Sequence, residues 1–589
     1  MLESLKEFSI KINGVMDEKV RFVLEKQLKN RDNWKKTVEV FTTREDSENG
    51  RWRGEYFGKQ MRGAVLTYAY TKDEELYDIL TDVVVDLLSR QDEFGRFSTY
   101  HIEEEFRAWD MWCRKYVLVG LQYYYYICKD ETLKTRIITA CQKHLDYILE
   151  KIGDKEGQIA ITETSNFWGC VNSCSILEPT VEMYKITGEK RYLDFAEYIL
   201  STGGCSDCNL IQLALESESY PYQYPVTKAY EMMSFYEGVL AYYEVTGKEK
   251  YLNAVTRFMD LVAQSDVTII GCSGCTHEFF DNSSVKQTEY NEYLMQETCV
   301  TVTWMRLNRR LFDLTSESKY LDRLEISGYN ALYGSLNTDM NKQYCEETKG
   351  YVEGMVFDSY SPLYMNTRGR GVGGFNEFAS GGYNGCCVAI GACGIALMPL
   401  SAVIQQEEGV YVNMLFSGSV WVSDKTGKAV CLTVESGYPA EGNGKITVNQ
   451  ACDLTLYIRK PAWCKNMAVE GVAVESEYFV LDKTYQAGDS IAVQMEMSIE
   501  AHRLNGKVAF TYGALTLASD EQKSERALQK PVLLDKYTCI PADIEMGEMV
   551  RFAYEADGER LILTDVQSCG KKWLSNKPLM TVWFHEERS

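Results

Sequence analysis

Apolar residues recur at intervals of three and four along most of the first 400 positions, the period of helices that bury one face. Gly238-Val239-Leu240-Ala241-Tyr242-Tyr243 and Ala254-Val255-Thr256-Arg257-Phe258-Met259 show it on either side of a polar stretch, Thr246-Gly247-Lys248-Glu249-Lys250, and are read as two helices joined by a turn. Variants of that turn begin at Thr71, Cys128, Thr187, Thr246 and Thr315, at steps of 57, 59, 59 and 69 residues. Such a repeat is longer than the units of common open solenoids, which favours long helices curled into a closed ring. The expected architecture is an (α/α)6 toroid over residues 13 to 400, with the apolar stretch Ala389 to Gln405 supplying the closing helix. The run Tyr123-Tyr124-Tyr125-Tyr126 cannot face one way on a helix, so its rings are expected in the ring interior and in helix seams, mostly as packing.

After Glu408 the period drops to two. Val410 to Phe416, Ala429 to Val434, Leu454 to Ile458 and Ser490 to Met495 alternate between Gly, Asn and Asp turns, as the strands of a β-sandwich do. Leu561-Ile562-Leu563 and Met580-Thr581-Val582-Trp583-Phe584 extend strand character to the end. The expected division is therefore a toroid over residues 1–400, a β-sandwich over 401–517 and a small β-rich unit over 518–589.

Composition narrows the functional classes. The chain has 589 residues, 45% apolar and 25% charged, as soluble globular proteins do, and its formal charge of -23 argues against nucleic acid or an anionic membrane surface as partner. The first twenty residues lack a cationic start followed by an apolar run, and no window approaches the roughly eighteen to twenty apolar residues of a membrane helix. With no export signal, nineteen cysteines are expected as reduced thiols in a cytoplasmic protein.

Candidate chemistry concentrates at Gln296-Glu297-Thr298-Cys299 and Gly385-Cys386-Cys387. One carboxylate and three thiols from these stretches suit tetrahedral zinc if they converge, whereas the competing reading is ordinary buried cysteines. A separate four-thiolate site is conceivable from Cys205, Cys208, Cys272 and Cys275, two C-x-x-C pairs with a spacing far longer than in zinc knuckles.

Residues 296–334 together with Gly382-Tyr383-Asn384-Gly385-Cys386-Cys387 resemble glycoside hydrolase family 127, the β-L-arabinofuranosidase-like proteins. Trp52 to Lys59, Ile176 to Pro179 and Leu456 to Trp463 extend the resemblance over about residues 50 to 520. It implies a retaining exo-glycosidase acting on short oligosaccharides or glycosides, with zinc held by Glu297, Cys299, Cys386 and Cys387. Cys386 is then the nucleophile and Glu278 the acid/base, with Asp281 as the fallback and a short insertion before Glu297.

The chain also departs from that family. It has only five histidines, His101, His144, His277, His502 and His585; Thr227-Lys228-Ala229 stands where a Gly-His-Ala triplet is expected, and Trp109 to Tyr116 replaces a histidine-bearing helix. A rebuilt sugar pocket is expected from Lys228, Trp109, Asp110, His277, Glu55 and Tyr360, and a cation among Lys228, Arg114 and Lys115 would suit a sugar bearing a carboxylate. Two alternatives stay open: a zinc-containing carbohydrate-binding or scaffold protein without turnover, and an unsaturated-uronide hydrolase on the same toroid. A homodimer is compatible with all three.

Overall fold

The computed structural model describes residues 9–274, 276, 278–290, 296–338, 343–345, 350–352, 355–357, 361–368, 370–371, 375–533, 539–556, 558–571 and 578–587. Its helices are α1 (Val15–Val23), α2 (Arg31–Thr43), α3 (Glu55–Thr71), α4 (Glu74–Ser89), α5 (Asp110–Ile127), α6 (Glu131–Lys151), α7 (Leu177–Thr187), α8 (Lys190–Ser201), α9 (Ala229–Thr246), α10 (Glu249–Ser265), α11 (Thr298–Thr315), α12 (Ser318–Ser327) and α13 (Cys386–Ala402), with shorter pieces between them. An inner ring runs α3, α5, α7, α9, α11, α13 and back to α3, each helix packed on the next. Helix α13 starts at the cysteine pair, three residues earlier than expected, and every residue in it is buried. A helix enclosed on all sides has no polar face, which is why its sequence shows little periodicity. Among the described residues, no helix is long and apolar enough to cross a membrane.

The repeated turn has a common construction. Thr71, Thr187, Thr246 and Thr315 each donate a hydroxyl hydrogen bond to the carbonyl four residues back, and each accepts the amide of the residue two ahead, at 3.2–3.4 Å. One side chain therefore closes the helix just ended and orients the start of the next. The intervening residue turns left-handed in these loops: Lys72, Gly188, Gly247 and Ser316 have φ of 52°, 70°, 63° and 57°. Asp73 and Asp130 then cap α4 and α6 by accepting amides of the first turn. Gly58 sets the spacing between α3 and α5, because a Cβ there would lie 1.8 Å from the carbonyl oxygen of Tyr116. In the tyrosine run, Tyr123 accepts from Arg306 inside the ring while Tyr124 bonds Thr81 of the outer layer, as consecutive helical positions must.

The β-region holds a sandwich and a third sheet. Ser417–Ser423, Ala429–Ser436, Asn443–Val448 and Ser490–Met495 lie in a seven-stranded sheet, and Cys452–Arg459 pairs with Tyr478–Tyr485 and Gly409–Val412 in a four-stranded one. The strand Ser9–Asn13 joins the larger sheet beside Ser417–Ser423, with Ile10 opposite Val420. Thus the chain enters the sandwich before it builds the ring. The expected cut at residues 517 and 518 falls inside the strand Leu515–Asp520, which pairs with Lys507–Tyr512 on one side and Glu559–Asp565 on the other. Ladder hydrogen bonds cross that point, so it is no boundary.

Arg459 ties sandwich to ring. Fully buried, it reaches Asp322 at 2.5 Å and Glu325 at 2.7 Å on α12, while its Nε donates to the carbonyl of Asn413 at 2.7 Å. Burial pushes the Asp322 carboxyl up to about 6, against the pull of Arg459.

Thr246→Val removes both hydrogen bonds of one repeated turn and Gly247→Ala places a side chain at positive φ. Each is expected to weaken the α9–α10 corner by about 1 kcal/mol, read as faster amide exchange over residues 242–249 with other corners unchanged.

Candidate active site and metal centre

Helices α3, α11 and α13 bring their first turns together at one mouth of the ring, so residues far apart in sequence meet there. Glu297 caps α11, Cys299 lies in its first turn, and Cys386 and Cys387 open α13. Amide groups at these helix starts favour anionic side chains. The ligand atoms of Glu297, Cys299, Cys386 and Cys387 all lie within 4.8 Å of one another, and this is the one such group of His, Cys, Asp or Glu found among the described residues. Sulfur to sulfur, Cys387 is 3.8 Å from Cys299 and 3.9 Å from Cys386; Glu297 Oε1 is 3.6 Å from Cys387 and 3.9 Å from Cys386. The other oxygen, Oε2, is buried without a hydrogen-bond partner among the described residues.

These groups resist ionisation together. Burial pushes the Glu297 carboxyl up to about 8, with the Cys386 thiolate adding to it. Burial likewise drives the Cys299 thiol well up, reinforced by the two neighbouring sulfurs. A buried cluster of four acids, one with an unspent oxygen, fits a site that exchanges its protons for a metal ion.

Around it lies a shell of charge and aromatic rings. Lys59 donates to Glu55 at 2.8 Å and to Cys299 Sγ at 3.8 Å, and Trp112 donates to the other Glu55 oxygen. Asn376 donates to the Tyr56 hydroxyl at 2.7 Å from the strand Phe375–Glu377, which pairs with the strand leading into Cys386. Residues 278–280 pair with residues 227–229 at the start of α9: Ala229 donates its amide to the Glu278 carbonyl at 2.9 Å and Phe280 to Thr227 at 2.7 Å. That pairing brings Lys228 into an ion pair with Glu278, and the ammonium sits 4.6 Å from the centre of the Trp168 ring. A cleft of about 470 Å³ opens beside this pair, lined by Asn166, Trp168, Asp207, Thr227 and Phe279 among others.

The sequence matches the Beta-L-arabinofuranosidase GH127 catalytic domain over residues 9–364 and the corresponding middle domain over residues 409–497. The chain belongs to glycoside hydrolase family 127. It is accordingly a glycoside hydrolase. Its fold agrees with that of a GH127 β-arabinofuranosidase at TM-score 0.75 and 18% identity, covering 100% of this chain and 97% of the other. A GH127 β-L-arabinofuranosidase from Geobacillus stearothermophilus T6 aligns at TM-score 0.75 and 17% identity, over 98% and 100% of the two chains. No curated protein is a significant match to the sequence.

For this family member the structure sorts the expected sugar-contacting residues. Trp109 joins an aromatic wall with Trp52, Trp112, Phe167 and Trp168, at centroid distances of 5.4–5.9 Å. Lys228 stands at the mouth, its charge matched by Glu278. Glu55 is buried at 2% exposure with both oxygens engaged, beside the thiol cluster. Asp110 is a correction. It is fully buried and accepts from Ser98 at 2.6 Å, the Phe106 amide at 2.8 Å and Arg114 at 3.0 Å, so its oxygens are spent inside the ring. Arg114 itself reaches Asp110 and Glu105, and Lys115 lies under Trp112 and Tyr116, so neither offers a cation to a sugar carboxylate. Asp281 accepts from Thr276 and Ser283 within its own turn. His277 and Tyr360 lie outside the described residues, as does Cys275, which leaves the four-thiolate reading unplaced. Its partner Cys272 accepts from Thr301 at 2.8 Å, and Cys205 faces the carbonyl of Trp168 at 4.0 Å.

Lys59 and Trp112 were not among the candidates read from the sequence. The spacing of Glu55 and Lys59, four apart on a helix, was a signal for the first, but nothing local says that the pair points at a thiol.

Asp110→Asn is expected to destabilise the fold by about 3 kcal/mol through the broken buried pair while leaving KM within about twofold. Chemical denaturation and steady-state kinetics on the same preparation separate the two effects.

Proposed function

We propose that the protein is a retaining exo-glycosidase of the β-L-arabinofuranosidase kind, with zinc held by Glu297, Cys299, Cys386 and Cys387, Cys386 as nucleophile and Glu278 as acid/base. The observation that carries this is the convergence of one carboxylate and three thiols from two inner helices. Bonds of about 2.3 Å to sulfur and about 2.0 Å to oxygen in a tetrahedral site separate the ligand atoms by about 3.5–3.8 Å; four of the pairs lie at 3.6–3.9 Å, and all lie within 4.8 Å, so a small contraction closes the set on an ion. Bound zinc supplies deprotonation of the thiols and a sink for their charge at neutral pH.

The remaining chemistry belongs to the side chains. Cys386 Sγ attacks the anomeric carbon as the bond to the leaving oxygen breaks, and Glu278 gives that oxygen its proton. Glu278 then takes a proton from water, whose oxygen displaces the sulfur; two displacements at one carbon return the original configuration. Lys228 contacts Oε2 of Glu278 and orients the side chain, so that the proton given to the leaving oxygen sits on the other carboxyl oxygen. The wall formed by Trp109 and Trp168 offers an apolar face against which a sugar ring packs. Because the cation at the mouth is already matched, a neutral pentofuranoside is favoured over a uronoside. The activity by which the family is described supports the same class.

Metal analysis is expected to give about one zinc per chain, removable by a chelator with loss of turnover and restored by zinc. Across a panel of chromogenic pentofuranosides, pyranosides and uronosides, Cys386→Ala is expected to lower kcat by about a thousandfold or more on whichever substrate the wild type cleaves. Retained turnover in that variant overturns the assignment.

A further inference from the structure

The cleft of about 470 Å³ beside Lys228 and Glu278 falls in the size range of small-molecule sites. Trp168 and Phe279 give it ring faces, both half-buried, which meet edge-on at a centroid distance of 6.3 Å. Asn166 and Asp207 are exposed at its polar side, and Asp207 is the one charged group among the described lining residues. Aromatic carbon bordered by amide, carboxylate and hydroxyl groups suits a neutral ring bearing hydroxyls, whose C–H face packs on an indole while its edge exchanges hydrogen bonds.

Strained backbone turns Trp168 toward this cleft. Trp168, Gly169 and Cys170 have φ of 45°, 58° and 62°, three successive left-handed residues of which two carry bulky side chains. Contacts on both sides secure the turn. Cys170 Sγ lies 2.9 Å from the carbonyl oxygen of Thr162 and 3.0 Å from that of Ser165, and the Ser206 amide donates to the Gly169 carbonyl at 2.8 Å. A Cβ at Gly169 would stand 2.4 Å from Cys205 Sγ, so the turn carrying Trp168 and the loop carrying Asp207 interlock. Strain of this kind persists where the surroundings over-determine it, and it clusters at ligand clamps.

We propose that this cleft is the subsite of the leaving group and takes a neutral sugar, so that the substrate is a disaccharide or longer rather than a simple alkyl glycoside. The proposal rests on the reading above of Cys386 as nucleophile and Glu278 as acid/base. In a retaining enzyme those two groups flank the anomeric carbon from opposite sides, and the leaving oxygen lies beside the acid. The Lys228 ammonium pairs with Glu278, stands 4.6 Å from the centre of the Trp168 ring and is near enough to the thiol cluster to favour the charged form of Glu297. The acid therefore links cluster and cleft, and a group departing past Glu278 enters between Trp168 and Asp207.

The test compares, for the glycone that the wild type cleaves, a disaccharide with the methyl glycoside. Both leave as alcohols that need a proton, so a disturbed Glu278 slows both and cancels in the ratio of their kcat/KM. The wild type is expected to favour the disaccharide by about tenfold or more, because the second sugar adds binding energy at a remote subsite. Asp207→Ala, Asn166→Ala and Trp168→Ala are each expected to lower that ratio by about five- to tenfold. Calorimetry on Cys386→Ala reads the same subsite without turnover: adding Asp207→Ala is expected to weaken disaccharide binding by about five- to tenfold. A wild-type ratio near one, a ratio that none of the three substitutions lowers, or unchanged calorimetric affinity overturns the proposal. Glu278→Gln separates it from the reading beneath it. If that variant cleaves both substrates as the wild type does, the acid/base reading falls, and a ratio lowered by Asp207→Ala still gives the cleft to the leaving sugar. If it is inactive on both while the cleft variants leave the ratio unmoved, only the assignment of the cleft falls.

Discussion

Four acidic groups buried within 4.8 Å of one another are the constraint around which this molecule is built. In a medium that cannot solvate them they resist ionising side by side, and burial, with Cys386 adding to it, pushes Glu297 up to about 8. Their convergence makes sense as a receptacle for a cation, and everything near them serves to hold that receptacle or limit its charge. Helix starts supply amide dipoles, α3 supplies an ammonium, and the strands leading into Cys386 set where α13 begins.

The ring makes the receptacle possible because it aligns its inner helices. Each outer helix returns the chain, so α3, α11 and α13 start at the same mouth, and Thr-based turns enforce the reversal at the other end. The close approach of α3 to α5 at Gly58 keeps that mouth narrow enough for Glu55, Lys59 and Trp112 to meet. The sandwich braces the outer layer through Arg459, a fully buried cation whose two carboxylate partners lie on α12. Burying such a pair gives little stability by itself but fixes how the two parts meet, because breaking one partner strands the other.

At the sugar side, the lysine that replaces a histidine is used locally. Lys228 is held between Glu278 and the Trp168 ring, which explains how a charged residue is tolerated at the mouth. Arg114 and Lys115, two and three residues after Trp112, are buried in the ring instead. Of the three cations read from the sequence, only Lys228 stands at the mouth.

Sequence by itself determined the elements and their order. The three-and-four period, the Thr-led turns and the change to period two after Glu408 follow from local burial and hydrogen bonding, so the helical ring and the β-region could be read directly. The Glu297-Thr298-Cys299 and Cys386-Cys387 stretches likewise named the metal-binding candidates by donor type. Only the tertiary structure decided which charges face the site. Asp110 and Glu55 both stand at the start of an inner helix, yet one is consumed by Arg114 and the other braces Lys59 against a thiol. Which neighbour a helical side chain meets depends on the rotation of one helix against the next, and that rotation is set by packing across the ring, far from the residue in sequence.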